Sequence, residues 1–169
     1  MTVKEFDVLD KSVYTDDMGL NADGIRAVRS YISSDSYIIN EKLRQETDDF
    51  TLRERQLIQN LDDALNKLPP YKGGIVRSVY LRNNQLEEFL ASHQVGSVVT
   101  YGTYTSFTSG ETYDVDAIVQ LHVPQSKKSI DISTYNVAEQ EVLYPRNSRF
   151  IVLEVSESDG VKDIILKED

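Results

Sequence analysis

The residues in this chain whose types and spacing could do chemistry are Arg77, the pair Glu139 and Glu141, and the hydroxyl-rich run Tyr104-Thr105-Ser106-Phe107-Thr108-Ser109. Arg77 sits inside Ile75-Val76-Arg77-Ser78-Val79-Tyr80-Leu81, and at strand period it shares a face with Ile75, Val79 and Leu81. A guanidinium among apolar neighbours needs an anion, because desolvating it unpaired is prohibitively costly. That anion is a bound ligand or one of the chain's 28 acids; a register that exposes this face removes the need. Glu139 and Glu141 flank Gln140 and point the same way in an extended segment. Such carboxylates repel unless something cationic lies between them, and two solvated charges at a strand entrance are the plain alternative. The hydroxyl run fits the rim of a sheet, where Thr and Tyr are common in any case.

Composition narrows what those residues can be doing. The chain has 169 residues, 40% hydrophobic and 27% charged, which is about one domain's worth of ordinary globular sequence. Eighteen Lys and Arg against 28 Asp and Glu leave a formal charge of −10. A surface that acidic repels phosphate backbones and anionic lipid, so nucleic acid and membrane are not expected partners. Cysteine is absent, which removes disulfides, thiolate metal sites and cysteine nucleophiles together, and two histidines, His93 and His122, leave little for a histidine metal site. The nucleotide loops GxxxxGK[ST] and GxGxxG, the GxSxG elbow and HExxH are all missing. Asp114-Val115-Asp116 has the form of a DxD metal signature, but its carboxylates fall on the polar face of an alternating strand and no metal is expected. The N-terminus lacks a basic and then apolar secretory leader, and no apolar run approaches the length that spans a bilayer.

The elements that must position the candidates come in two blocks. Up to about residue 70 the pattern is helical: 21 to 31 with Ile25 and Val28, then Tyr37 to Arg44, then a helix opening at Thr51. Thr51 and Glu54 form a capping box, Leu57, Ile58, Leu61, Leu65 and Leu68 line one face, and Pro69-Pro70 stops the helix. Beyond Gly73-Gly74 the pattern is mostly strand: 75–81, 97–108, 115–123, 141–144, 149–155 and 161–166, with a short helix over 85–92. Helices first and strands second, without βαβ alternation, predict an α+β fold in a single domain, residues 1–169.

Taken in order, an Arg on an early strand, an aromatic-x-Ser-x-Thr segment and then Glu-x-Glu before Val142-Leu143 resemble the R-S-E class of mono-ADP-ribosyltransferases. Tyr31, Tyr37-Ile38-Ile39-Asn40-Glu41-Lys42-Leu43-Arg44 and Leu61-Asp62-Asp63-Ala64-Leu65 look like the helical lead-in of its bacterial exoenzyme-toxin branch. Glu141 to Phe150 resembles that branch's EVLxPRxxxF run, and the likeness covers about residues 20 to 155. Two departures stand out. The usual aromatic-Arg-Gly reads Val76-Arg77-Ser78, and Ser-Thr-Ser reads Ser106-Phe107-Thr108.

The resemblance implies N-terminal helices followed by a mixed or antiparallel two-sheet β core with an NAD cleft. It implies NAD as co-substrate, no metal, and transfer of ADP-ribose to an arginine of a target protein, in a secreted or injected toxin or effector acting in the cytoplasm of a target cell. An inhibitory or immunity protein is an expected companion. By position, Glu141 would stabilise the ribose cation, Arg77 would hold the phosphates, and Ser106 would orient Glu141, with Thr108 or Ser109 as alternatives for that role. Thr108 and Tyr113 would also contact NAD. Glu139 would receive the acceptor and Tyr135 would touch the target. Two other readings stand beside this one: an NAD glycohydrolase on the same fold, and a non-catalytic acidic module that binds a basic protein.

Overall fold

A threonine and a glutamate three residues apart start the longest helix. In the computed structural model, which describes residues 16–110 and 117–169, Thr51 Oγ1 accepts from the Glu54 amide at 3.1 Å, and Glu54 Oε1 accepts from the Thr51 amide at 2.8 Å. Such a cap is worth about 1 kcal/mol. Lys42 Nζ meets the same Glu54 oxygen at 2.6 Å, and these contacts hold the Glu54 carboxyl below its usual range, the Lys42 hydrogen bond most of all. The helix, α3 (Leu52–Lys67), buries Ile58, Leu61, Ala64 and Leu65 as its spacing predicts, with Leu68 buried at its end; Leu57 is only partly covered. Two shorter helices precede it, α1 (Ala22–Ser30), capped by Asn21, and α2 (Ser36–Arg44). A five-residue π-turn, Tyr31–Asp35, joins them, with Ser33 departing from helical geometry. The sequence pattern gives no sign of that turn.

The chain divides into two compact units, Met1–Leu68 and Pro69–Asp169. Every candidate residue discussed above belongs to the second. Its described strands are β1 (Gly73–Val79), β2 (Val98–Tyr101), β3 (Thr105–Thr108), β4 (Val119–Ser126), β5 (Ile130–Asp131), β6 (Glu141–Tyr144), β7 (Ser148–Ser158) and β8 (Val161–Glu168). One helix, α4 (Asn84–Ser92), lies between β1 and β2. The segment 97–108, expected as a single strand, is two, because Gly102 and Thr103 interrupt the pattern before Tyr104.

Hydrogen bonds link the eight strands in the order β2-β7-β8-β4-β1-β3-β6-β5, all antiparallel except β4 with β8. Two sheets were expected, and hydrogen bonding makes one. Packing nevertheless makes two layers. Tyr144 on β6 and Phe150 on β7 lie five strand spacings apart in that order, about 24 Å on a flat sheet, yet their rings meet edge to face with centroids 4.8 Å apart. The sheet therefore curls until its two ends face each other over one core. Ile75, Val99, Phe107, Leu121, Val142, Phe150, Val152, Ile164 and Leu166 supply that core from seven of the strands. The ladder is thinnest between β1 and β3, where Val76 opposite Thr108 is the single register pair. Among the described residues no helix is long and apolar enough to cross a membrane.

His93, at the end of α4, is 4% exposed and stacks on Phe89 with centroids 3.8 Å apart. Its Nδ1 lies 2.8 Å from the Phe89 carbonyl, which can only accept, so Nδ1 carries the proton. Nε2 therefore accepts from the Tyr101 hydroxyl at 2.7 Å. Burial lowers the His93 pKa, opposed by the bond to the Phe89 carbonyl. A folded-state pKa below the unfolded 6.5 means that the unfolded chain binds the extra proton first. Stability from this group is complete above that value and is lost as pH falls below it. Thermal midpoints from pH 7.5 to 5.5 should accordingly fall further for the wild type than for His93→Gln; parallel curves would remove His93 as the cause.

Candidate active site

Arg77 projects from β1, where it pairs with Leu121 of β4, and its Nη1 donates to the Ser106 carbonyl on β3 at 2.8 Å. The guanidinium thus spans the thin β1–β3 joint. Its positive charge also reaches Tyr101, whose phenol burial pushes far above its ordinary value and Arg77 pulls back in part.

Ser106 faces the other way along the same linkage. β3 pairs with β6 in the register Ser106 opposite Leu143 and Thr108 opposite Glu141. From there the Ser106 hydroxyl donates to Glu141 Oε2 at 2.6 Å. Thr108 and Ser109 are occupied elsewhere. Thr108 Oγ1 donates to the Glu139 carbonyl at 2.8 Å and accepts from the Gly110 amide at 3.0 Å. Both the amide and the hydroxyl of Ser109 donate to the Gln140 carbonyl, at 3.1 and 3.3 Å. These bonds clamp the glutamate loop to the end of β3. A Cβ on Gly110 would stand 2.5 Å from Gln140 Oε1, so a side chain there would displace Gln140.

The two glutamates are placed by different means. Glu141 opens β6, a strand buried along its whole length, and is 6% exposed. Glu139 ends a 3₁₀ turn, Val137–Glu139, and is exposed. Gln140 between them has φ of +46°, so the expected strand alternation does not apply. Their carboxylates converge all the same, because Asn136 Nδ2 donates to Glu139 Oε2 at 3.1 Å and to Glu141 Oε1 at 2.9 Å. Sequence reasoning missed Asn136, having looked for a cation between the acids; the bridge is a neutral amide.

Tyr135 lies half-buried one residue earlier, in the turn its amide makes with the Ile132 carbonyl at 2.9 Å. Tyr113 and the Asp114-Val115-Asp116 run lie outside the described residues. Among the described residues no cluster of three or more His, Asp or Glu is arranged to hold a metal. The chemical content of the site is thus a buried carboxylate held on both oxygens, an exposed carboxylate beside it, and a guanidinium on β1, with β3 between β1 and β6.

The family model of the ADP-ribosyltransferase exoenzymes matches residues 11–169. The chain belongs to that family. Among relatives of this exoenzyme domain, the NAD(+)–protein-arginine ADP-ribosyltransferase Tre1 of Serratia proteamaculans is 31% identical over 150 residues, 88% of this chain and 32% of Tre1. A putative NAD(+)–arginine ADP-ribosyltransferase, Mav, of Mycobacterium avium is 27% identical over 139 residues, 79% of this chain and 16% of Mav. The chain therefore spans about a third and a sixth of these proteins' lengths. Solved structures share its fold. The ADP-ribosyltransferase Vis of Vibrio splendidus, crystallised with agmatine, superposes with a TM-score of 0.71 at 21% identity, over 98% of this chain and 82% of that one. The Clostridium limosum C3 exoenzyme superposes with a TM-score of 0.72 at 15% identity, over 90% of this chain and 87% of that one.

Proposed function

We propose that this chain transfers ADP-ribose from NAD to an arginine side chain of another protein and releases nicotinamide. The observation that carries the proposal is the pair of carboxylates joined by Asn136, one buried and one facing solvent. The bond from nicotinamide to ribose breaks with its electron pair leaving on the ring nitrogen, which is already positively charged, so no acid is required. Glu141, fixed by Ser106 and Asn136, hydrogen-bonds a ribose hydroxyl and stabilises the cation that develops. Arg77 holds the phosphates with its planar fork. The acceptor nitrogen then bonds to the ribose carbon and gives its proton to Glu139. An exposed Glu139 suits this task, since the guanidinium must arrive on another molecule. Tyr135, in the adjoining turn, touches that molecule.

Three further parts of the reading rest on the relatives. The name of Tre1 specifies arginine, and Vis was crystallised with agmatine, an arginine without its carboxylate. The family match runs through both compact units, which supports one catalytic domain. Relatives named as a toxin and as a type III effector support an exported protein acting inside another cell. A producer of such an enzyme needs its own arginines protected, which an inhibitory partner would do.

Labelled NAD with and without agmatine tests the proposal. Formation of ADP-ribosyl-agmatine is expected. Hydrolysis indifferent to agmatine would replace the transferase with a glycohydrolase, and neither consumption nor binding of NAD would leave a protein-binding module.

A further inference from the structure

We propose that Asn136 is a positioning residue that sets Glu139 beside Glu141, and so governs how much NAD is passed to the acceptor rather than to water. The inference rests on the arginine-transfer reading above. Ionised carboxylates only accept hydrogen bonds, so the Asn136 amide nitrogen must face both, and its two N–H groups supply one bond to each, at 3.1 and 2.9 Å. Two negative charges this close repel. A lysine or arginine between them would relieve the repulsion but would neutralise the site that must attract an incoming guanidinium. A neutral donor holds both carboxylates and leaves their charge for the substrates.

The two acids depend on Asn136 unequally. Glu141 is buried and keeps the Ser106 hydroxyl on its other oxygen. Glu139 is exposed, and among the described residues Asn136 is the one donor to its carboxylate. Asn136 is itself fixed by backbone. Its amide donates to the Ser133 carbonyl at 3.1 Å, and Ser133 is tied through its amide and hydroxyl to Asp131 Oδ1, at 2.9 and 2.5 Å. The base of the loop is closed by the Ile132 amide on the Glu141 carbonyl at 3.2 Å. Removing the amide group therefore frees Glu139 to rotate while Glu141 stays held.

The test measures agmatine transfer and NAD hydrolysis side by side for the wild type, Asn136→Ala, Glu139→Ala and the double variant. Loss of a hydrogen bond to a charged group predicts a fall in transfer of about 10- to 100-fold for Asn136→Ala, with a higher agmatine KM. Hydrolysis should fall by much less, about threefold. Because Asn136 acts on transfer mainly through Glu139, the second substitution should cost transfer in the Glu139→Ala background no more than the roughly threefold it costs hydrolysis. Asn136→Asp, of the same shape but with a third negative charge, should depress transfer further than Asn136→Ala. Equal falls in transfer and hydrolysis, or additive effects in the double variant, would overturn the proposal while leaving the transferase reading intact. A wild type that consumes no NAD would remove both at once.

Discussion

Glu141→Gln is expected to lower NAD consumption by at least about 100- to 1,000-fold, whether or not agmatine is present. The side chain is buried, its two oxygens are committed to Ser106 and Asn136, and it stands where a fixed negative charge acts in a poorly hydrated setting. Charge stabilisation is strongest in such a place, because little has to reorganise as the ribose cation forms. Glutamine keeps the volume but brings an N–H toward one of two groups that already donate, and it removes the charge. The loss should therefore fall on kcat, with the KM for NAD little altered, since Arg77 still holds the phosphates. A thermal midpoint near that of the wild type would show that the fold survives. Activity within tenfold of the wild type would move the reacting centre away from Glu141.

Glu139→Gln should separate the two reactions. Transfer to agmatine is expected to fall by about 100-fold or more, the usual effect of removing a positioned base, while hydrolysis in the absence of acceptor persists. The structural ground is the contrast in burial: Glu139 is exposed and lies outside the β6 strand that carries Glu141. It can meet an acceptor without taking part in breaking the nicotinamide bond. If Glu139→Gln instead reduced hydrolysis as much as transfer, the carboxylate would have to be acting on NAD itself, and the assignment of an arginine acceptor would lose its structural basis.

Much of this arrangement was legible in the sequence, for identifiable reasons. The Thr51–Glu54 box, the apolar stripe of α3 and the stop at Pro69-Pro70 are local signals, and the helix follows them apart from Leu57, which stays partly exposed. The order of helices and strands, and with it the α+β class, follows from periodicity. The curl of the sheet does not, because it depends on Tyr144 meeting Phe150 across five strand spacings, which no local pattern encodes. In the site, Arg77, Ser106, Glu139 and Glu141 could be singled out by type and order. Asn136 could not. Its part depends on a 3₁₀ turn and on Gln140 taking a left-handed conformation, and an asparagine in a polar loop carries no distinguishing mark. The idea of a charge between the two acids was close, but repulsion can be relieved by a donor as well as by a cation.

The place of β8 in the sheet bears on when the candidate site is assembled. Among the described strands, β8 lies between β7 and β4 and is the one ladder that joins β2-β7 to the five strands that carry the candidate site. It is also the last described strand to leave the ribosome, and its parallel partner β4 lies some forty residues upstream. Arg77, Ser106 and Glu141 are thus all synthesised before the strand that lets the core close around them. A ribosome-bound chain that has not reached residue 161 holds these side chains without the strand that completes their sheet. Pairing over such separations is slow, on the order of milliseconds to seconds, so assembly of the candidate site trails the synthesis of its residues. Under the proposed function, NAD turnover would begin only once β8 has paired.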